Sequence, residues 1–496
     1  MIRQSAGQAH QISALPKDER IVVLIVDHPR RDLAGLVLVA RALCASGRAC
    51  ALMPANLRFW ELPAVLDRVD FVLLQNAVQG NEDMMALLAR EGIPYGVLQS
   101  EGSVYFEEPG PDDAPMTRND TLDGLILENA ALRDRVAVFC AWTEWVADYL
   151  VHFGYFRPDQ VAVTGTPRTD LLVAPLAGAS RSLSASAGRY GRPLVMVNCT
   201  FTIANPRFVT PEQEISYAVR DSNGKFTRPF LEAYQHSARD ALQGTVALTN
   251  DLAQRFPDVA FLVRPHPFES LDIYRETLLP LPNLHLDGSG SIEGWLLRAD
   301  AVIHWCSSTA IEAAVVGIPA LQPQWLPQIR RVPFADAASV ACDTLEDLAR
   351  HLEAIVAGRF TLSGEERARI DATVRRAFHM ADGQAHRRVA RAVLAALDRT
   401  GGRTGEAAGP PRDLPAVPQA SLERWQASDK RFDAHDVHAI LAAVDGASGA
   451  AAASPATALP VPGTQAGIFD PHFPAPQSVV LIPAAAACRA IPQDAS

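Results

Sequence analysis

Between Arg20 and Leu397 the chain repeats one pattern, a short run of apolar residues followed by a longer helical stretch. "RIVVLIVD" leads into "LAGLVLVARALCASG" and then "ACALMP"; "FVLLQ" leads through "EDMMALLAREG" to "YGVLQ"; "AVFCAW" leads through "TEWVADYLVHFG" to "QVAVTG". Continuous Val/Ile/Leu runs suit strands buried on both faces, and their alternation with helices suits a parallel sheet. The first series ends near Leu172, and "APLAGASRSLSASAGRYGR" then interrupts the pattern as a domain boundary does. It restarts with "PLVMVNCT", "VAFLVRP", "LHLD", "AVIHWC" and "PALQP", each followed by a helical stretch. The expectation is an α/β protein of two Rossmann-like domains facing across a cleft. Its parts are an N-terminal tail 1–19, a first domain 20–178, a linker 179–192, a second domain 193–398 and a tail 399–496. In such open sheets ligands sit beyond the carboxyl ends of the strands.

From Thr400 onward Ala, Gly and Pro dominate without periodicity, so the tail is expected to be largely disordered. "DAHDVHAILAAV" reads as one short helix within it, and "SVVLIPAAAA" as a run able to dock on the body. A formal charge of −11 argues against a sequence-independent grip on nucleic acid, which needs a basic face. The seven cysteines are scattered, with no CxxC pair and no histidine-linked metal spacing. The N-terminus has no signal-like apolar core, and nowhere do about 18 uncharged apolar residues follow one another. A cytoplasmic protein is expected, at most peripheral at the inner face of the membrane.

Three groups of polar residues fall where strands should end. The first is Glu101 with Gly102, in "VLQSEGSVYF". A carboxylate there can take a proton from a sugar hydroxyl when partial burial tunes it, or it is a solvated turn residue. The second is Arg264 and His266, in "FLVRPHPFES". Pro265 and Pro267 fix their own φ and bias the preceding residues toward extended geometry, so both side chains are aimed by a stiff backbone. Such a pair can bind phosphate and stabilise charge on a departing nucleotide, while a plain strand end and turn accounts for the same letters. The third is Ser307, Ser308 and Thr309 in "HWCSSTAIEAAVVGIPAL". Hydroxyls and free N–H groups at a helix start make a phosphate site, with about 0.3–2 kcal/mol from the dipole. Glu312, one turn in, can reach ribose hydroxyls; Thr309-x-x-Glu312 is equally a capping box that needs no ligand. Arg30 and Arg31, after the first strand, either pair with a carboxylate or phosphate on acceptor or donor or are surface arginines.

The order of these groups resembles that of bacterial surface-carbohydrate biosynthesis proteins of the glycosyltransferase B type, related to capsule polymerases and CMP-sugar transferases. Glu101-Gly102 matches that family's acidic-glycine motif, Arg264 to Pro267 its His-Pro motif, and Ser307 to Thr309 its serine motif. "RRDLAGLVLVARAL", "VTGTPRTDLL" and "VNCTFTIANP" support the match, which spans about Arg20 to Leu397. Thr166 stands where the family has Asn, and "QS" replaces a more acidic run before Glu101. The resemblance implies an acceptor in the first domain, served by Glu101, as general base if the reaction inverts. It implies a nucleotide-sugar in the second domain, with His266, Ser307 and Ser308 around the phosphate and Glu312 near the ribose, and with Asn198, Arg264 and Thr309 also among the nucleotide-binding residues. Gly102, Arg30 and Arg31 fall on the acceptor side.

The expected activity is transfer of an acidic sugar, of the 3-deoxy-octulosonic or nonulosonic kind, from CMP to a surface polysaccharide such as capsule or lipopolysaccharide. No metal or other cofactor is expected, because a CMP-sugar has one phosphate and no acidic pair is placed to hold a divalent ion between phosphates. Expected partners are the nucleotide-sugar and a glycan acceptor, without nucleic acid and with at most peripheral contact with the membrane or the polysaccharide assembly machinery. A CDP-polyol phosphotransferase, a UDP-sugar epimerase, and a non-catalytic binding or scaffold protein that retains the fold are the alternatives.

Overall fold

A computed structural model describes residues 20–55, 62–100, 116–118, 122–123, 126–184, 189–191, 193–222, 226–329, 332–402, 431–447, 456–460 and 479–483. They group into two compact units. Unit 1 draws on 1–100, 127–179 and 382–496, and unit 2 on 101–126 and 180–381.

In unit 1 the apolar runs become strands β1 (Ile21–Val26), β2 (Ala49–Pro54), β3 (Val69–Leu74), β4 (Tyr95–Leu98), β5 (Val136–Ala141) and β6 (Val161–Val163). All six residues of β1 are buried, as a strand with neighbours on both edges and helices on both faces requires. The order β2-β1-β3-β4-β5-β6 is parallel throughout and changes direction between β1 and β3. Close packing sets one position in the sheet centre: a Cβ on Gly96 would stand 2.9 Å from Phe71 and from Val138, so only glycine fits there.

Unit 2 holds β7 (Leu194–Asn198), β8 (Ala260–Arg264), β9 (Leu284–Leu286), β10 (Ala301–His304), β11 (Ala320–Pro323) and β12 (Val340–Cys342). Their parallel order is β12-β11-β10-β7-β8-β9. Counted within the unit this is 6-5-4-1-2-3, the strand order of the dinucleotide-binding fold, with its switch point between β7 and β10. The expected α/β fold of two Rossmann-like domains is therefore the observed one.

Two stretches sit differently from the sequence reading. The helical pattern 364–397 is split into Gly364–Phe378 in unit 2 and Ala385–Thr400 in unit 1. His379, at φ 56°, and Gly383, at φ 72°, turn the chain in a way no continuous helix allows. The second helix then buries Val389, Ala390, Val393, Ala396 and Leu397 in the core of unit 1, beside Leu36, Val39 and Leu43.

The tail, expected to be largely disordered, contributes a helix, Ala434–Ala447, and strands β13 (Ala456–Pro460) and β14 (Val479–Pro483). Val437, Ile440, Leu441 and Val444 form one buried helical stripe, which joins the same core. Strand β14 pairs antiparallel with β2, Val480 opposite Ala51, and β13 pairs antiparallel with β14. The helix falls on "DAHDVHAILAAV" and β14 on "SVVLIPAAAA", the stretches expected to form a helix and to dock, since an Ala/Pro-rich segment needs only a few well-spaced apolar residues to cover a sheet edge.

Among the described residues no helix is long and apolar enough to cross a membrane.

Candidate functional site

The carboxyl ends of β8, β7 and β10 stand level. Asn198, the last residue of β7, is the register partner of Arg264 on one side and of His304 on the other. This is the switch point of unit 2, where the loops on either side of β7 diverge and leave room for a ligand.

Asn198 is buried and its Nδ2 donates to Ser307 Oγ at 2.9 Å and to Thr309 Oγ1 at 3.2 Å. Ser307 Oγ also accepts the Thr309 N–H at 3.3 Å. The helix Thr309–Val316 has Ser308 at its N-cap with no side-chain cap bond, so Thr309 and Glu312 do not form the capping box their spacing allows. The Thr309 hydroxyl is instead spent on Asn198, which draws the serine turn onto the end of β7. Cys306 enters this turn at φ 48°, a strained conformation of the kind that clusters at functional sites.

Below the turn, His304 Nδ1 accepts the Ser307 N–H at 3.3 Å, and its Nε2 lies 2.8 Å from Ser339 Oγ. Ser339 Oγ donates to Ala335 O, so it accepts from His304, and the ring carries its proton on Nε2. Burial pushes the His304 pKa down to about 4, which keeps the ring neutral and Nδ1 able to accept.

Across the switch point stands His266, in the loop that follows β8. Its Nδ1 accepts the Phe268 N–H at 3.2 Å, so the neutral ring carries its proton on Nε2 as a donor. Arg264 has a different occupation: its guanidinium donates to Ser289 O and Gly290 O, each at 2.6 Å, and lies 5.9 Å from the centre of the Trp295 ring. It ties the loop after β9 to the end of β8.

Sequence reasoning missed Glu269, although it lies in the same stretch as His266. It is 1% exposed. Its Oε1 accepts the N–H of His266 and of Phe201, each at 3.0 Å, and its Oε2 accepts the Tyr274 hydroxyl at 2.5 Å. One carboxyl thus holds the loops after β7 and β8 together. Burial raises its pKa from 4.5 to about 7, against the opposing pull of these hydrogen bonds. A carboxyl raised in the fold favours folding while protonated, so its contribution is complete below pH 4.5 and lost as pH rises through about 7. That difference is worth roughly 3 kcal/mol. Glu269→Gln, which mimics the protonated form, is expected to flatten the fall in stability between pH 4.5 and 7 in urea denaturation. An unchanged pH slope would show that Glu269 does not titrate in this window.

In unit 1 the loop after β1 closes on itself. Asp32 Oδ2 accepts the His28 N–H at 3.0 Å, and Arg31 pairs with Asp27 and Asp32, each at 2.9 Å. Arg31 is thus held by carboxylates of its own loop, and Arg30 stands next to it. Beyond the carboxyl ends of the strands a small pocket is lined by Asp32, Gln75, Gln99, Ser100, Thr166 and Arg168, among others. Gln75 Oε1 and Gln99 Oε1 are buried without a hydrogen-bond partner, and such atoms require a donor from water or ligand. A Cβ on Gly35 would meet the Pro167–Arg168 backbone at 3.0–3.1 Å, so that glycine lets the Thr166 turn approach the first helix. Glu101 and Gly102 lie outside the described residues.

Unit 2 therefore joins Asn198, Ser307 and Thr309 by direct bonds, with Ser308 at the helix start and the buried Glu312 one turn in. His266 and Arg264 belong to the neighbouring strand end.

Neither a protein-family model nor a curated protein matches the chain. Among solved structures it is similar to the UDP-GlcNAc 2-epimerase of Methanocaldococcus jannaschii in complex with UDP-GlcNAc and UDP. The identity is 12% and the TM-score 0.48, over 76% of this chain and 100% of that one. The UDP-GlcNAc 2-epimerase of Neisseria meningitidis bound to UDP-GlcNAc matches at 13% identity and TM-score 0.45, over 76% and 100%. The wall teichoic acid polymerase TagF matches at 11% identity and TM-score 0.48, over 79% and 91%.

Proposed function

We propose that this protein is a glycosyltransferase that takes a nucleotide-activated sugar in unit 2 and passes the sugar to a surface-polysaccharide acceptor. The observation that carries the reading is the Asn198–Ser307–Thr309 network at the switch point of a sheet with the dinucleotide-fold order. Strands lie about 4.8 Å apart, so the loops after β8 and β10 are separated by about 10 Å, room for the phosphate and ribose of one nucleotide. The Nε2–H of His266 supplies a donor, and the helix Thr309–Val316 the positive end of its dipole, where negative charge grows on the departing phosphate.

In the proposed reaction Glu101 takes the proton of an acceptor hydroxyl and the oxygen attacks the anomeric carbon. The bond from that carbon to the nucleotide phosphate breaks, and the electron pair leaves with the phosphate. Gln75 and Gln99 accept from acceptor hydroxyls in the pocket of unit 1. The choice of CMP and of an acidic sugar rests on the sequence resemblance; a single phosphate suits a site with one helix dipole and one imidazole donor.

Calorimetric titration with CMP, CDP and UDP tests the proposal. CMP is expected to bind best, and His266→Ala to weaken it roughly 10- to 100-fold, the value of one hydrogen bond to a charged group. No nucleotide binding by a folded sample would overturn the transferase reading. A preference for UDP would move it to the epimerase class.

A further inference from the structure

We propose that unit 2 carries a binding site for zinc or a similar divalent transition ion, formed by Cys342, Asp347 and His351. One ligand atom from each lies within 4.8 Å of the others. The site does not depend on the transferase reading.

Its geometry follows from two elements. Cys342 ends the edge strand β12, and the helix Leu345–Val356 starts three residues later. Asp347 and His351 are four apart on that helix and share the face turned toward Cys342. The Thr344 hydroxyl accepts the Asp347 N–H at 3.1 Å, and Asp347 Oδ2 accepts the Asp343 N–H at 3.3 Å, leaving Oδ1 3.6 Å from His351 Nε2. Both carboxylate and helix start are thereby oriented before any ion arrives.

A cation already sits on two of the three groups. The Arg350 guanidinium pairs with Asp347 Oδ1 and lies 3.2 Å from His351 Nε2. Guanidinium nitrogens only donate, so Nε2 presents its lone pair to the cation, the state a metal ligand needs. Burial and the neighbouring Arg350 lower the His351 pKa, which keeps the ring neutral. The Arg350 side chain is 66% exposed and free to turn into water.

Thiolate, imidazole and carboxylate together are a zinc set, and three protein ligands leave a fourth position for water. Tetrahedral bonds of about 2.0–2.3 Å place ligand atoms roughly 3.3–3.8 Å apart, so the groups must close by about 1 Å. Burial holds the Cys342 thiol at about 12, so it is protonated without metal. The ion forms its bond to sulfur as the S–H bond gives its proton to solvent, and each ion bound releases one proton.

The test uses the full-length chain, stripped with a chelator and titrated with zinc against a chromogenic competitor, then with cobalt(II). The wild type is expected to bind one equivalent more than Cys342→Ser, with one proton released and a thiolate-to-cobalt absorption band that the serine variant lacks. His351→Ala, at a half-buried position where folding is not at stake, is expected to weaken binding at least 10- to 100-fold. Arg350→Ala is expected to tighten it by removing the competing cation. Equal stoichiometry and affinity in wild type and His351→Ala, or a cobalt spectrum without the thiolate band, would overturn the site.

Discussion

A chain ending at Gly402 is expected to lose unit 1 as a folded body while unit 2 still melts cooperatively. The tail supplies Phe432, Val437, Ile440, Leu441, Val444, Val479 and Leu481 to the core, none more than 6% exposed. At about 1.5–3 kcal/mol for each large apolar side chain, their loss is on the order of 10 kcal/mol, comparable to the whole stability of a domain. The ion pair of Arg41 with Asp445, at 2.6 Å, goes with them. Removing β14 also bares the hydrogen-bonding edge of β2, an apolar strand that would then pair with other copies. Scanning calorimetry with light scattering measures both effects. A truncated chain that keeps both transitions and stays dispersed would show that the tail only decorates the fold.

Asp170→Ala is expected to cost roughly 3 kcal/mol, because it leaves buried hydrogen-bond donors without an acceptor. Asp170 is fully buried. Its Oδ1 accepts the Ala385 N–H at 3.0 Å, and its Oδ2 accepts the His386 N–H at 2.8 Å and meets His386 Nδ1 at 2.7 Å. The helix Ala385–Thr400 has no side-chain cap of its own, so this distant carboxylate caps it. The alanine variant leaves buried donors without partners, and its melting temperature is expected to fall on the order of 10 °C. Asp170→Asn keeps one acceptor and should lose less. Hydrogen exchange along 385–400 should speed up in the same order. Wild-type melting in the alanine variant would mean that the helix is held by its apolar face alone.

Asp170 also explains "VTGTPRTDLL", which the sequence marks as a motif without saying what it does. Thr166 to Arg168 line the pocket of unit 1, and the residue two places on caps a helix more than 200 positions away in the chain. The serine motif was similarly half legible. Its letters allow a capping box or a ligand site, and Asn198, 109 residues earlier, engages the Thr309 hydroxyl that the capping box would need. Glu269 gave no signal at all, because a carboxylate in a turn reads as solvated until the fold closes over it.

Local forces made the strands, the helices and the stiff Pro-His-Pro turn readable from the sequence alone, since periodicity and proline geometry act over a few neighbouring residues. Composition likewise bounded the protein as a globular, acidic chain. Which strand ends became neighbours was decided only in three dimensions. So were the cap on the helix Ala385–Thr400, the carboxyl beneath His266 and the covering of β2 by the tail. Each of these joins residues far apart in the chain, and such pairings are selected by the summed burial and register of the whole sheet, to which no single stretch of sequence commits.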